Sequence, residues 1–248
     1  MHEPRILLAD IETLPNVVTS WGLNVPSKYL SHENILSERS IVCASWKWLG
    51  KAKVYSADVL DSPGKHRDGG ILRKLSGAWS QADAIVAHNG DRFDVPWIKT
   101  RMIYAGMEPP PPVPTIDTRS LARRHFYFNS NRLDYLGKYL GVGQKIRTDF
   151  HLWLDAMKGR REAIAKMVAY NREDVRLLER VYLKLRPFLP AKVNASQWST
   201  AELACPKCGS DKIHARGLMR LAASTRQRFQ CQTCGGWSSK PANSKVIR

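Results

Sequence analysis

Ile6-Leu7-Leu8-Ala9-Asp10-Ile11-Glu12-Thr13 is the stretch on which the reading of this chain turns. Its near-continuous apolar run predicts a strand over 5–11 that is covered on both faces, ended by Thr13-Leu14-Pro15. Side chains alternate along a strand, so Asp10 and Glu12, two residues apart, leave it on the same side. An isolated pair of acids in that spacing reads most simply as a solvated strand end, but the flanking Ile6, Leu8 and Ile11 leave little exposed surface for it. Carboxylates turned inward repel one another and resist desolvation, and divalent cations answer both problems.

Working outward, two further acids stand where side chains are expected to be buried. His88-Asn89-Gly90-Asp91-Arg92-Phe93-Asp94 follows a short apolar strand over 84–88 and leads into a helix over 94–105 closed by Gly106. Asp94 suits a helix start, where a carboxylate accepts backbone N–H groups, and Pro96 suits the first turn. Such a position also leaves an oxygen free for a cation. Asp91 competes for the same role, and Asp94 is preferred because Phe93 anchors the segment and the helix start fixes its geometry. In the long helix expected over 159–185, Met167, Tyr170, Asp174, Leu177 and Val181 form one stripe. An acid on a core-facing stripe needs a partner. Asp117, at a strand end, reads as a helix cap.

Between these motifs, residues 40–49 and 51–58 read as an antiparallel hairpin. Helices are expected over 68–82, 118–126, 132–140 and 150–158, a stiff connection at Pro109 to Pro112, and a last strand over 114–117. Residues 16–40 read as polar and irregular. The order describes an α/β domain with a mixed sheet of about five strands flanked by helices. It spans residues 1–187, a polar linker occupies 188–201, and a small domain with a basic tail occupies 202–248.

Together these motifs resemble the DEDD family of 3′–5′ exonucleases, which has a ribonuclease-H-like fold. Asp10-Ile11-Glu12-Thr13 is similar to its first motif, Asn89-Gly90-Asp91-Arg92-Phe93-Asp94 to its second and Tyr170-x-x-x-Asp174 to its third, over roughly residues 5–186. Tyr four residues before the last Asp resembles the tyrosine branch. The second motif is especially similar to that of exonuclease domains attached to family B DNA polymerases, with no polymerase domain following, so a free-standing nuclease is expected. The resemblance implies two Mg2+ or Mn2+ ions, with Asp10 bridging both, Glu12 and Asp174 completing the first and Asp94 supporting the second. Tyr170 would orient the attacking water; near an ordinary pKa of about 10 it is a poor base at neutral pH. Thr13, Leu14, Asn89 and Phe93 are the implied contacts to the terminal nucleotides, Leu14 being equally suited to the core.

Near the C-terminus, Cys205-Pro206-Lys207-Cys208 and Cys231-Gln232-Thr233-Cys234 form two C-x-x-C pairs with 22 residues between the inner cysteines, a tetrahedral zinc spacing. The segment resembles a zinc ribbon with structural Zn2+. His214 is not needed as a ligand, and the fifth cysteine, Cys43, reads as a core residue. Lys and Arg number 39 against 22 acids, a net charge of +17, which points to a polyanionic partner. Basic residues crowd the small domain, where Phe229 and Trp237 are available for stacking.

No window holds the roughly 18 apolar residues of a membrane span, no signal peptide opens the chain, and the cysteine usage fits a reducing compartment. The expectation is a cytoplasmic monomer acting on nucleic acid, with single-stranded DNA ends the preferred substrate. A ribonuclease or structure-selective nuclease, and a noncatalytic nucleic-acid-binding protein, are the alternatives.

Overall fold

The computed structural model describes residues 4–26, 29–61 and 68–242. Met1, His2 and Glu3, and the Lys245 and Arg248 charges of the basic tail, lie outside them. Strand β1 (Ile6–Leu14) occupies the middle of a five-stranded mixed sheet. It pairs antiparallel with β4 (Ser40–Trp48), which pairs antiparallel with β5 (Val54–Asp58). On its other side lie β6 (Ala84–Ala87) and then β7 (Thr115–Asp117), both parallel.

β1 runs past its expected end at Ile11. Pairing with β4 continues to Leu14 across a bulge between Glu12 and Thr13, so Pro15 stops the strand and Thr13 only bends it. The region before Ser40, read as irregular, carries a short ribbon of β2 (Val17–Val18) and β3 (Ile35–Ser37).

One face of the sheet packs on α1 (Gly69–Trp79) and α2 (Asp94–Tyr104), with Leu7, Ala9 and Ile11 of β1 meeting Leu75, Trp79, Ile98 and Met102 in one core. Asp68, just before α1, is fully buried and fixed by Arg101 at 2.6 Å. The other face carries α6 (Arg161–Leu185), about 37 Å long at 1.5 Å per residue. α3 (Thr118–His125) and α4 (Leu133–Tyr139) join the C-terminal half of α6 in a second core with Ile6, Leu8 and Val86. α5 (Phe150–Met157) packs near its N-terminal half. Lys47 on β4 pairs with Glu179 on α6, which also accepts from Gly50 N, fixing the helix on the strand pair.

Residues 188–201 are not an open tether. Leu189 and Ala195 are buried, and Ala195 N–H donates to Pro206 O at 2.8 Å. Beyond them β8 (Ile213–Arg220), β9 (Thr225–Cys231) and β10 (Trp237–Pro241) form an antiparallel three-stranded sheet. No helix among the described residues is long and apolar enough to cross a membrane.

Candidate metal centres

Alternation along β1 sends Ile6, Leu8, Asp10 and Glu12 toward α6, where the apolar stripe of the strand turns acidic. The α6 stripe turns acidic at the same level, at Asp174. The ligand oxygens of Asp10, Glu12 and Asp174 all lie within 4.8 Å of one another. Asp174 is 1 % exposed, so this is a core position and not a solvated acidic face.

Asp94 is buried at the first turn of α2 but does not cap it through its side chain. Its Oδ1 accepts the backbone N–H of Ile11 at 3.1 Å. Pairing of β1 with β6 ends at Leu8, so Asp94 serves as acceptor for a strand N–H beyond that ladder and is held beside the cluster. Asp91 turns elsewhere: it accepts from the Thr115 hydroxyl and lines a separate cleft with Trp79 and the proline run.

The loop between β6 and α2 is built for this placement. Asn89 adopts φ 73°, a conformation asparagine tolerates better than most residues, and its N–H donates to Asp117 Oδ1 at 3.0 Å. Asp117 also accepts from Arg119 and Ser120 N–H, the cap expected of it. A Cβ at Gly90 would come within 2.4 Å of Ala87 Cβ, so glycine is required there. Asn89 Oδ1 accepts from Arg119 at 3.0 Å, and Phe93 lies half-buried against Trp97. Thr13 O accepts from the Trp153 indole at 3.2 Å, and Leu14 packs partly on the first core.

Two polar neighbours of the cluster were not foreseen in the sequence. Asn171 is fully buried and donates through Nδ2 to Asp10 Oδ2 at 2.6 Å, while its Oδ1 has no hydrogen-bond partner. Its spacing of three residues before Asp174 and seven before Leu178 was the available signal. Lys145 comes from the irregular segment after α4. Its Nζ stands 2.6 Å from Asp174 Oδ2 and 4.9 Å from the centre of the half-buried Tyr170 ring. No periodicity marks that segment, so no pattern announced it.

Burial, then the charges of Asp94, Glu12 and Asp174, push Asp10 well above the carboxylate range. Glu12 and Asp94 are each pushed up to about 7, chiefly by burial, and burial raises Asp174 despite Lys145. Burial alone would lower the Lys145 ammonium, but Asp174 outweighs it and holds the amine above its usual value. Burial likewise raises the Tyr170 phenol, with Asp174 adding to it. Three clustered carboxylates whose repulsion Lys145 offsets only in part, beside an orphaned amide oxygen, are a hard-oxygen donor set that fits Mg2+ or Mn2+.

A cleft of about 930 Å3 between α5 and α6 reaches Tyr170 and carries charges of both signs, Arg147, Arg161 and Lys166 beside Asp149, Asp155 and Glu162. Arg160, also in its wall, is paired with Asp155 at 3.0 Å.

The second centre is local. Cys205, Cys208, Cys231 and Cys234 bring their sulfurs within 4.8 Å of one another without a disulfide. Cys205 and Cys234 are 3.7 Å apart and Cys208 and Cys231 3.6 Å. Ligands at about 2.3 Å around tetrahedral zinc are about 3.8 Å apart, so the four sulfurs fit that ion. Gly209 and Gly235, at φ 79° and 73°, let each hairpin turn back so that its N–H reaches the carbonyl of the first cysteine. His214, paired with Gln230 on β9, is not one of the four. Phe229 pairs with Ser238 and Trp237 with Gln230, so the two rings leave opposite faces of the small sheet and cannot form one platform. Trp237 shares its face with Arg226 and Arg228. Cys43 is fully buried opposite Glu12.

The sequence model of the RNase_H_2 family, of the RNase H superfamily, matches residues 41–186, which include Asp94, Tyr170 and Asp174 but not β1. No curated protein sequence matches the chain. A similar solved structure is the family B DNA polymerase from the hyperthermophilic archaeon Pyrobaculum calidifontis, with a TM-score of 0.54 and 18 % identity. The likeness covers 74 % of this chain and 25 % of the polymerase, so the chain spans about a quarter of that enzyme's length, and at this identity it shows a shared fold.

Proposed function

We propose, from the premise that the chain belongs to the RNase H superfamily, that it is a metal-dependent 3′–5′ exonuclease of the DEDD group's tyrosine branch. The observation that carries this reading is the convergence of Asp10, Glu12 and Asp174 from β1 and α6, with Asp94 held beside them by Ile11 N–H. Two divalent cations held by these carboxylates would supply Lewis-acid stabilisation of the attacking and leaving oxygens of a phosphodiester. Asp10, Glu12 and Asp174 are the direct ligands in this reading, and Asp94 supports the second ion.

The protein's own groups set the geometry of the displacement. Water attacks phosphorus, the bond to the 3′ oxygen breaks, and that oxygen leaves with a proton as a nucleoside 5′-monophosphate is released. Tyr170, with its phenol pushed up, stays protonated at neutral pH and orients the water through its hydroxyl instead of taking the proton. Asn171, donating to Asp10 Oδ2, orients that carboxylate. In this reading Asn89 and Phe93, on a loop fixed by Asp117 and Gly90, contact the terminal nucleotides, as do Thr13 and Leu14 beyond the bulge of β1. Arg147, Arg161 and Lys166 in the cleft beside Tyr170 supply, in this reading, the cations for the approaching backbone. Single-stranded DNA is the preferred substrate.

The four cysteines complete the reading as a structural zinc site of a ribbon over 202–248, with residues 1–187 as the nuclease domain. Fewer than 50 residues with few buried apolar side chains need such an ion to hold a fold. The basic face around Trp237 fits nucleic acid.

Incubation of 5′-labelled DNA and RNA oligonucleotides with Mg2+, Mn2+ or EDTA tests the assignment. Stepwise shortening from the 3′ end, lost in EDTA and in Asp10→Asn, is expected. Endonucleolytic products, or full activity in Asp10→Asn, would falsify it.

A further inference from the structure

Away from both metal centres, five aromatic rings touch in sequence. Tyr135 and Tyr139, one turn apart on α4, stack at 5.9 Å. Tyr139 meets Phe128 edge-on at 5.3 Å, Phe128 stacks on Phe126 at 5.2 Å, and Phe126 meets Phe188 edge-on at 6.2 Å. Phe126, Phe128 and Tyr135 pack on the second core, which explains them as an extension of that core. It does not explain the other two, because Tyr139 is 65 % and Phe188 74 % exposed.

Charge and position separate this surface from an ordinary apolar patch. Arg123 and Arg124 end α3 and Arg132 precedes α4; all three are exposed, and none forms an ion pair with a carboxylate among the described residues. The loop between these helices is tied to the candidate active site, since His88 at the end of β6 bonds through Nε2 to Asn131 O at 2.9 Å. At the other end, Phe188 follows Pro187, whose carbonyl accepts from Lys207 in the first cysteine hairpin. The rings therefore bridge the motif that carries Asp94 and the cysteine domain.

We propose that this aromatic surface is a stacking track for single-stranded nucleic acid upstream of the 3′ end, with bases on Tyr139 and Phe188 and phosphates on the neighbouring arginines. Every base has a π-face, so stacking holds a strand without reading its sequence, and the unpaired guanidinium groups match the phosphate charge. The inference rests on the nuclease reading for the identity of the strand. From Asp174 to Phe188 the helix rise gives about 20 Å, the length of about six stacked nucleotides at 3.4 Å each. Short substrates should reach the carboxylates without reaching Phe188.

Binding of 5′-labelled DNA of four and twenty nucleotides is measured by fluorescence anisotropy in the Asp10→Asn protein, with and without Tyr139→Ala and Phe188→Ala together. Both side chains are exposed, and an unchanged melting temperature verifies the fold. The expected result is at least about tenfold weaker binding of the twenty-mer, less than about twofold change for the four-mer, and recovery with Tyr139→Phe and Phe188→Tyr. Arg124→Gln with Arg132→Gln should lower the salt dependence of twenty-mer binding, which the aromatic pair should leave unchanged. Equal affinities, equal weakening at both lengths, or equal recovery with leucine at both positions would overturn the track. So would a change of sedimentation in the Tyr139→Ala, Phe188→Ala protein with no change in binding, which would assign the face to contact between copies. The nuclease reading fails separately, if the wild-type protein binds the twenty-mer in this length-dependent way yet never shortens it.

Discussion

The carboxylate centre and the cysteine centre are both clusters of ligand atoms within 4.8 Å, yet they are built in opposite ways. Four thiols come from two tight hairpins whose own backbone bonds fix the spacing, and the sulfurs already stand at tetrahedral separations. The three carboxylates come from a strand and a helix 162 to 164 positions apart in sequence, and only the packing of α6 on β1 brings them together. That packing leaves like charges buried, offset in part by Lys145 and Asn171. In the proposed reading one centre substitutes for a core, while the other burdens a core with buried like charges for the sake of its chemistry.

The comparison breaks most visibly if both centres respond alike to loss of metal. Stripping zinc from 202–248 should unfold that sheet, since zinc binding contributes on the order of 10 kcal/mol in domains of this kind. Limited proteolysis should then cut within 202–242 while 4–187 survives; resistance there after chelation would show that the sulfurs pack without an ion. Asp174→Asn should lower nuclease turnover by about 1,000-fold or more, on the scale of losing a group that stabilises transition-state charge. Its melting temperature in EDTA should hold or rise, because a buried acid has been removed. A fall in that temperature would mark Asp174 as a structural ion-pair partner of Lys145.

The acids also set an unusual pH dependence. Glu12 and Asp94 are raised to about 7 in the folded chain against about 4 when unfolded. The folded state therefore holds more protons between those values, and metal-free stability should fall as pH rises from about 4 to 7. The loss is on the order of 3 kcal/mol for each of the two groups. Mg2+ or Mn2+ should reverse it above pH 7 and have little effect at pH 5, where protonated carboxyls do not ligate. Calorimetry across pH 4–8 with and without EDTA checks this; metal-independent stability that rises with pH would contradict the electrostatic account. The smallest effect is expected from Asn171→Leu, which frees Asp10 from its donor and deletes the orphaned Oδ1. Turnover should drop by roughly tenfold with stability within about 1 kcal/mol of the parent, the net worth of one hydrogen bond.

Much of this could be read in the chain because its signals are short-range. The apolar run of β1, the hairpin of β4 and β5 and the α6 stripe each depend on alternation or helical spacing, and each formed as expected, with β1 running three residues further across its bulge. Asp94 and Asp91 were not separable by spacing, since both occupy one loop; only the Ile11 N–H and the Thr115 hydroxyl distinguish them. Residues 188–201 looked like a linker because their few apolar residues follow no period, yet Leu189 and Ala195 find buried places against neighbours far away in sequence. Phe229 and Trp237 appeared as a pair until strand register put them on opposite faces.

The sequence by itself determined which groups could ligate, two acids facing one way from a strand and four cysteines in two hairpin pairs, because residue periodicity and turn chemistry are local properties. Only the tertiary structure decided that Lys145 and Asn171 stand among the acids and that the aromatic rings of α4 continue to Phe188. Those contacts join segments with no common period, and they exist only once α6 has been laid across the sheet.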